Sequence, residues 1–238
     1  MVLLLLVRIM YIKKIYYYMK NLVLITSIIK TPDTPLSYIN TRSVYSHDER
    51  FEQTKKTIQT IREKIPDSII FIVECSDLDE VQHKYMTLNC DYFLNLYNSN
   101  FANNMFSHSK SLCEGTMTYC ALEYILTNNI EFNNLIKISG RYWLSNNFNY
   151  SNFDNNDIIV KFIENNKDNI FTALYKLPKK EVLFFKLFLE NNFNHMENCI
   201  GYEVLFALFI NTLNNNIQNI EQIGLDGYVS VSGDYYSG

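Results

Sequence analysis

The chain has 238 residues, a formal net charge of −4 and an apolar content of 47%. This length suits one large α/β domain or two small ones, and the apolar content is ample for a proper core. The negative charge, with no dense run of Lys and Arg after residue 20, argues against sequence-independent binding of nucleic acid. The five cysteines are widely spaced and form no Cys-x-x-Cys pair, which disfavours a disulfide framework or a zinc site and favours a reducing compartment.

The first 18 residues are interpreted as an extension outside the fold. The apolar run at positions 2–7 is interrupted by Arg8 and falls far short of the roughly 20 residues that a membrane span needs. Its charges follow the apolar run, which is not the order of a signal peptide. The basic and aromatic segment from Lys13 to Lys20 suits contact with a membrane surface, but an upstream extension of the reading frame is the simpler explanation. We therefore predict one domain over residues 19–238.

The first predicted unit is a strand, a loop and a helix. The continuous apolar run at residues 22–29 is typical of a strand buried on both faces of a parallel sheet. After a polar loop, the sequence Ser46-His47-Asp48-Glu49 predicts a helix start with a capping box. Four polar side chains near the strand end or in the first helical turns are candidate ligand-binding groups: Thr26, Ser27, Arg50 and Gln53.

The second predicted strand, residues 68–73, ends in polar groups. Nucleotide-binding folds often hold a ribose or base with a carboxylate at such a strand end, so Glu74 and Ser76 are candidate ligand-binding residues. The alternative is that Glu74 belongs to a loop that caps the next helix. Asp77 and Asp79 resemble a metal-binding Asp-x-Asp, but acids are also favoured at helix starts, and we interpret the pair as a cap first.

A lysine, Lys110, is predicted at the start of the next long helix. Residues 79–89 are predicted as a helix and residues 90–96 as a short strand, and a polar loop follows. Lys110 then stands at the start of a well-formed helix, where a cation is placed to receive phosphate oxygens. The alternative is that Lys110 is simply solvated.

The most informative stretch runs from Asn134 to Leu144. It begins as an apolar strand and then brings together these polar and aromatic residues: Lys137, Ser139, Gly140, Arg141, Tyr142 and the single Trp143. Open α/β sheets bind ligands beyond the carboxyl ends of their strands. A flexible backbone, a hydroxyl, a fixed cation and an aromatic face suit a ligand that carries phosphate and a ring. The alternative is an ordinary turn, with Arg141 solvated and Trp143 in the core.

Strands and helices alternate up to residue 145, which predicts a mostly parallel sheet flanked by helices. Beyond that point, short strands are predicted at 157–162 and 170–175. A helix is predicted after Pro178, and another from about Glu197 to Asn211. The glycine-punctuated tail at 223–234 is expected to lie back over the site.

With these motifs in place, the chain resembles a glycosyltransferase of the GT-A type, in particular uncharacterised glycosyltransferase-like proteins of large DNA viruses and environmental sequences. The resemblance covers about residues 20–236. It is carried by Arg50-x-x-Gln53-Thr54, Ile72-Val73-Glu74-Cys75-Ser76, Ser109-Lys110-Ser111-x-x-Glu114-Gly115, Lys137-Ile138-Ser139-Gly140-Arg141-Tyr142, the helix with Met196-Glu197 and Glu203, and Gly224-x-x-Gly227. It implies a single α/β domain with a Rossmann-like sheet. It also implies a nucleotide-diphosphate sugar donor and a glycan, lipid or protein hydroxyl as acceptor.

The resemblance also has one departure. GT-A enzymes usually hold a divalent metal with an Asp-x-Asp at the end of the strand that here ends in Ser139-Gly140-Arg141. The hypothesis is therefore a metal-independent transferase, in which Arg141 with Lys137 or Lys110 stabilises the charge of the leaving diphosphate. If the reaction inverts the configuration at the sugar carbon, a general base is expected from the acceptor side. The candidates are Glu197, first because His195 and Met196 lead into its predicted helix start, then Glu203 and Asp226.

Other functions stay open at this point. The missing Asp-x-Asp also fits a non-catalytic nucleotide- or carbohydrate-binding module on a degenerate transferase fold. A nucleotidyltransferase fits less well, because it would need a Gly-rich loop near the first strand and no Gly precedes Gly115. The expected location is the cytoplasm, of the host if the protein is viral, without a membrane span and with peripheral membrane contact as an option.

Overall fold

The computed structural model describes residues 20–238, so the predicted extension at 1–18 lies outside the described residues. The described chain is an α/β domain built from short strands and seven helices. The strands are β1 (Leu22–Ser27), β2 (Ile69–Glu74), β3 (Tyr92–Asn95), β4 (Asn134–Ser139), β5 (Tyr142–Leu144), β6 (Ile158–Val160), β7 (Phe162–Ile163), β8 (Asn166–Ile170), β9 (Leu174–Pro178), β10 (Ile217–Asn219), β11 (Leu225–Tyr228) and β12 (Tyr235–Ser237). The helices are α1 (His47–Lys64), α2 (Glu80–Asn89), α3 (Ala102–Met105), α4 (Lys110–Thr127), α5 (Val182–Asn191), α6 (Phe193–Glu197) and α7 (Tyr202–Asn211).

A mostly parallel central sheet organises the domain, as the sequence predicts. Within residues 20–238 it has seven strands in the order β10-β6-β9-β4-β1-β2-β3. The strands β4, β1, β2 and β3 are parallel, whereas β9 runs antiparallel to β4 and β6. A small antiparallel sheet, β12-β11-β5, and a β7–β8 hairpin complete the strand structure of the described chain.

Helices cover both faces of the central sheet. Side chains alternate along each strand, so Leu22 and Leu24 of β1 belong to one core cluster, and Val23 and Ile25 belong to the other. Helices α4, α5 and α7 pack on the first face. Helices α1 and α2 and the small sheet pack on the second. This two-sided burial explains why the strands of the sheet are continuous apolar runs.

The chain reverses its direction of travel across the sheet between β1 and β4. From β1 it moves to β2 and β3 on one side, and it then returns through α4 to place β4 on the other side of β1. The crevice beyond the carboxyl ends of β1 and β4 is therefore a topological switch point, where open α/β sheets bind their ligands.

Two helix starts follow the sequence. Ser46 caps α1, and its side chain and that of Glu49 form the predicted capping box. Asp79, the second acid of the Asp-x-Asp, caps α2 by accepting a hydrogen bond from the Gln82 amide at 2.8 Å. The interpretation of that pair as a helix cap is confirmed, with Asp79 rather than Asp77 as the capping residue.

Several predicted elements are broken in the structure. The strand predicted up to Leu144 ends at Ser139, because the chain turns at Gly140 and β5 leaves the central sheet to pair with β11. The single helix predicted from Glu197 to Asn211 is also wrong. The segment between α6 and α7 is not helical, and Cys199 there has φ of +62°, which interrupts a helix. The predicted strands at 157–162 and 170–175 are each divided as well.

Within residues 20–238, no helix is both long enough and apolar enough to span a lipid bilayer.

Candidate functional site

A cavity of about 110 Å³ opens at the switch point between β1 and β4. The strand ends, α1, α4, the loop after β1 and the tail after β11 all contribute to its wall. Its lining residues are Thr26, Ser27, Ile28, Thr31, Pro32, Leu36, Arg42, Arg50, Lys110, Cys113, Glu114, Met117, Ser139, Arg141, Ser230 and Val231. We call it the arginine cavity, because three arginines stand on its wall.

Arg50 is buried at the start of α1 and connects three segments around the cavity. Its guanidinium donates to the Ile28 carbonyl at 2.8 Å, to Ser43 Oγ at 3.2 Å and to Ser230 Oγ at 2.9 Å. Burial, followed by the nearby charge of Arg141, lowers the pKa of Arg50 to about 9. The cavity wall therefore holds a desolvated cation whose hydrogen bonds run to neutral groups.

Arg42 and Arg141 complete the cationic wall. Arg42 Nη2 and Arg141 Nε are buried and have no hydrogen-bond partner within the described chain. None of Arg42, Arg50 and Arg141 pairs with a carboxylate of residues 20–238. Buried donors without an acceptor are costly, and each one needs an explanation such as an unseen ligand. The unmet groups here are N–H donors on cations, so they suit an anion with several oxygens.

An ion pair between the fully buried Lys137 and the partly buried Glu114 supports this wall. Lys137 of β4 is 0% exposed, and its ammonium donates to Glu114 Oε1, to Ser139 Oγ at 2.9 Å and to the Thr172 carbonyl at 2.8 Å. Burial lowers the pKa of Lys137, although Glu114 opposes the shift. Desolvation alone would raise the pKa of Glu114, but Lys137 and Lys110 outweigh it and lower that pKa. Lys137 thus fixes Glu114 and Ser139, two residues of the cavity wall.

Glu74 lies beneath the cavity and does not line it. Its side chain is fully buried, and Oε1 accepts hydrogen bonds from the Ile29 amide at 3.0 Å, the Cys75 amide at 3.0 Å and Ser76 Oγ at 2.6 Å. Desolvation raises the pKa of Glu74. Ser76 Oγ also accepts from the Lys30 amide at 2.8 Å. Both side chains therefore hold the loop after β1 against the end of β2.

A second cavity, of about 220 Å³, adjoins the first. Lys110 and Glu114 line both cavities. Glu203 lies in the first turn of α7, and its Oε1 is 3.6 Å from Lys110 Nζ. Desolvation lowers the pKa of Lys110, but Glu203 and Glu114 outweigh it and leave that pKa raised. The remaining lining residues are Ser37, Tyr38, Ser109, Ser111, Cys199, Gly201 and Tyr202.

The residues selected from the sequence divide into four groups. Those that line the arginine cavity are Thr26, Ser27, Arg50, Lys110, Ser139 and Arg141. Glu203 lines the second cavity. Those that line neither cavity and are buried nearby are Gln53, Glu74, Ser76, Lys137, Gly140 and Tyr142. Two acids lie elsewhere, because Glu197 is exposed at the end of α6 rather than at a helix start, and Asp226 belongs to the small sheet.

Gly140 and Tyr142, two of the buried residues outside the cavities, are held by local contacts. Gly140 approaches Ser27 so closely that a Cβ at position 140 would lie 3.0 Å from the Ser27 Cβ. Thr54 donates to the Gly140 carbonyl at 3.0 Å, which ties α1 to this turn. Tyr142 packs against Phe171 and Tyr236 in the second core cluster. These contacts fix the backbone at the strand ends on the side away from the cavity.

Glu114, Arg42 and Ser230 line the arginine cavity but were not among the candidate site residues, although Glu114 stands in one motif of the GT-A resemblance. Glu114 follows Lys110 by one helical turn, and this i, i+4 spacing already places both side chains on one face of α4. Arg42 lies in the long loop after β1, and its position depends on a path that no periodic pattern encodes. Ser230 lies in the tail, where it donates to the Arg42 carbonyl at 2.9 Å and accepts from Arg50.

The groups at the end of β4 do not suit a divalent cation. Ser139 has a hydroxyl that Lys137 already engages, Gly140 has no side chain, and Arg141 brings a positive charge. Hard divalent cations instead favour carboxylate oxygens. Within residues 20–238 no cluster of three His, Cys, Asp or Glu side chains is arranged to hold a metal ion.

Comparison with known proteins identifies the fold. No family model matches the sequence, and no curated protein sequence matches it. The CTP:phosphocholine cytidylyltransferase of Streptococcus pneumoniae has a similar structure, with a TM-score of 0.53 and 11% identity over 90% of this chain and 96% of that chain. A nucleoside-diphosphate-sugar pyrophosphorylase of Vibrio cholerae RC9 has a TM-score of 0.50 and 10% identity over 86% of this chain and 93% of that one.

At these identities the likeness shows the fold alone. The chain has a Rossmann-type α/β fold similar to that of these two structures, which confirms the fold class predicted from the sequence. Both similar structures are nucleotidyltransferases and not glycosyltransferases, so the GT-A resemblance stays a prediction.

Proposed function

We propose that the arginine cavity binds the diphosphate of a nucleotide sugar and that the protein transfers the sugar to an acceptor hydroxyl. The observation that carries the proposal is the set of three arginines, Arg42, Arg50 and Arg141, on one wall without a carboxylate partner in the described chain. Guanidinium groups match the geometry and charge of phosphate oxygens. The unpartnered N–H groups of Arg42 and Arg141 would then find acceptors.

The cationic wall is suited to the charge that forms during transfer. When the bond between the sugar C1 and the terminal phosphate oxygen breaks, its electron pair stays on the diphosphate. Fixed cations aimed at that oxygen stabilise the developing charge without reorganising. Arg141 and Lys110 line the same cavity and would stabilise this charge. The step therefore needs no metal ion bound at the end of β4.

The acceptor oxygen forms the new bond to C1, and its proton goes to a general base. We assign Glu203 to this role, because it is the one acid from the predicted set that lines the second cavity. Glu114 also lines both cavities, but Lys137 occupies its Oε1 and lowers its pKa, which makes it a poor base. Glu197 faces solvent at the end of α6.

The structural neighbours support a nucleotide as the ligand. One is named for a reaction of CTP with phosphocholine, and the other for nucleoside-diphosphate sugars. Their shared fold favours a second candidate function, nucleotidyl transfer to a sugar phosphate. Against this candidate, the loop between β1 and α1 contains no Gly, whereas close backbone approach to a triphosphate favours glycine.

Product analysis separates these functions. The purified protein would be incubated with UDP-glucose, UDP-N-acetylglucosamine or GDP-mannose, with and without a mixture of glycan acceptors, and nucleoside diphosphate release measured. Parallel reactions would contain UTP, CTP or GTP with a sugar 1-phosphate, and pyrophosphate release measured. We expect nucleoside diphosphate and no pyrophosphate.

Two variants make this test specific to the cavity. Arg141→Ala should lose nucleoside diphosphate release, whereas Arg62→Ala should keep it, because Arg62 pairs with Asp91 on the surface. If the unmodified protein released pyrophosphate, the proposal of glycosyl transfer would be wrong and nucleotidyl transfer would be the function. Nucleotide binding without either product would make the protein a binding module.

A further inference from the structure

The two adjoining cavities differ in charge. Arg42, Arg50, Arg141 and Lys110 make the arginine cavity strongly positive, with Glu114 as its acidic residue. In the second cavity Lys110 is the cationic residue, and it faces the carboxylates of Glu203 and Glu114. A phosphate would be attracted to the first cavity and would meet Glu203 in the second. The ligand of the second cavity should therefore carry no negative charge.

The second cavity also offers groups that suit hydroxyls and a sugar ring. Ser111 is 6% exposed, and its Oγ has no hydrogen-bond partner within the described chain. Ser109 Oγ is already engaged by the Leu112 amide at 3.1 Å and the Met196 carbonyl. Tyr38 is 62% exposed at the rim, where its ring presents a flat apolar face beside a hydroxyl.

We infer that the second cavity binds an uncharged carbohydrate, with Tyr38 against the sugar ring and Ser111 and Glu203 receiving its hydroxyls. The inference rests on the proposed function, and it selects a glycan end over a phosphorylated lipid or sugar as the acceptor. The shared residues Lys110 and Glu114 place this acceptor beside the diphosphate.

Binding measurements on the full chain test the inference. The protein would first be titrated with inorganic pyrophosphate and UDP. The UDP-saturated protein would then be titrated with methyl galactoside, methyl mannoside, maltose and lactose, and with galactose 6-phosphate and mannose 6-phosphate. We expect at least one neutral sugar to bind at least fivefold more tightly than any of the sugar phosphates.

Three variants assign that binding to the second cavity. Tyr38→Ala and Ser111→Ala should each weaken the neutral sugar at least fivefold and change UDP affinity less than twofold. Ser111→Ala removes a buried hydroxyl without a partner, so it should not unfold the protein. Glu203→Gln should narrow the preference for neutral sugars over sugar phosphates. Tyr235→Ala is the control, because Tyr235 is exposed on the small sheet and lines neither cavity.

The outcomes separate the two proposals. If UDP binds but no neutral sugar does, or a sugar phosphate binds best, the inference is wrong and the proposed diphosphate site stands. Neutral-sugar binding that Tyr38→Ala and Ser111→Ala leave unchanged overturns the inference too. If neither UDP nor pyrophosphate binds while a sugar still does, the proposed function fails and the carbohydrate site stands.

Discussion

Arg141 lies close enough to Arg50 for its charge to add to the effect of burial in lowering the pKa of Arg50 to about 9. Both guanidiniums face the arginine cavity, and neither has a carboxylate partner within residues 20–238. Two neighbouring cations without a counter-charge repel each other, and burial strengthens that repulsion. An anion between them would remove this cost, which makes their shared surface the strongest point of the cavity for a diphosphate.

Removal of Arg141 should weaken nucleotide binding without unfolding the protein. Its Nε has no hydrogen-bond partner in the described chain, so Arg141→Ala removes little from the unbound structure. A hydrogen bond to a charged group contributes about 1.5–3 kcal/mol, so we expect the Kd for UDP to rise roughly tenfold or more. Isothermal titration measures this change, and thermal unfolding should show a similar Tm. An unchanged Kd, with Arg62→Ala as the reference, would place the diphosphate elsewhere.

Glu74 should make stability fall as pH rises. Its pKa is raised in the folded state, so its stabilising contribution is complete below the ordinary glutamate pKa of about 4.3 and is lost as pH rises through the folded pKa. Glutamine keeps the Oε1 acceptor and cannot ionise. We expect Glu74→Gln to be more stable than the parent at pH 8, with little difference at pH 4. Urea unfolding at both values checks this.

Glu114→Gln is the matched control for that experiment, because the sign is opposite. The pKa of Glu114 is lowered in the folded state, so its contribution is present above about pH 4.3 and is lost as pH falls through the folded pKa. Glu114→Gln should therefore destabilise the protein most at neutral pH. If the two variants showed the same pH trend, their pKa shifts would not have opposite directions.

Removal of one member of the Lys137–Glu114 pair should destabilise the protein more than replacement of both members by uncharged residues. Lys137→Met leaves Glu114 without its main partner, and loss of one member of a buried pair destabilises a protein by about 3–5 kcal/mol. The double variant Lys137→Met with Glu114→Gln removes both charges and should recover a substantial part of this loss. Denaturant unfolding of the single and double variants measures the coupling. Additive losses would show that the pair contributes no interaction of its own.

Chelation should leave sugar transfer intact. The groups at the end of β4 are a serine, a glycine and an arginine, and the cations of the adjoining wall are available to neutralise phosphate charge. We expect the rate of nucleoside diphosphate release in excess EDTA to stay within about twofold of the untreated rate. Loss of activity in EDTA that Mg²⁺ or Mn²⁺ restores would contradict the metal-independent step.

The central fold was predictable because it rests on local patterns. Apolar runs such as Leu22–Ser27 and Ile69–Glu74 are buried on both faces of a parallel sheet, and helices with apolar faces separate them. The same logic located Ser139 and Arg141, because the carboxyl ends of parallel strands meet at one edge. Ser46 and Glu49 fix a helix start through their own side chains, so the capping box was also visible in the sequence.

The remaining parts depend on contacts that are distant in sequence. Glu74 has the sequence context of a ligand-binding acid, but the loop after β1 folds back onto it and buries it. Arg42 enters the wall because Ser230, far along the chain, bonds its carbonyl. The break between α6 and α7 was not predicted, because Cys199 adopts a left-handed φ and cysteine is not a residue type that favours this conformation. Sequence patterns therefore located the strand ends but not the loops that cover them.

Because Lys110 lines both cavities, the binding of one ligand should affect the binding of the other. Its ammonium can neutralise Glu203 or a bound phosphate oxygen, but it cannot fully serve both. When a diphosphate draws Lys110 away, Glu203 loses its counter-ion. Filling of one cavity must then change the affinity of the other by the same factor in both directions. Donor and acceptor should consequently bind in a thermodynamically linked manner, with Lys110 as the residue that couples them.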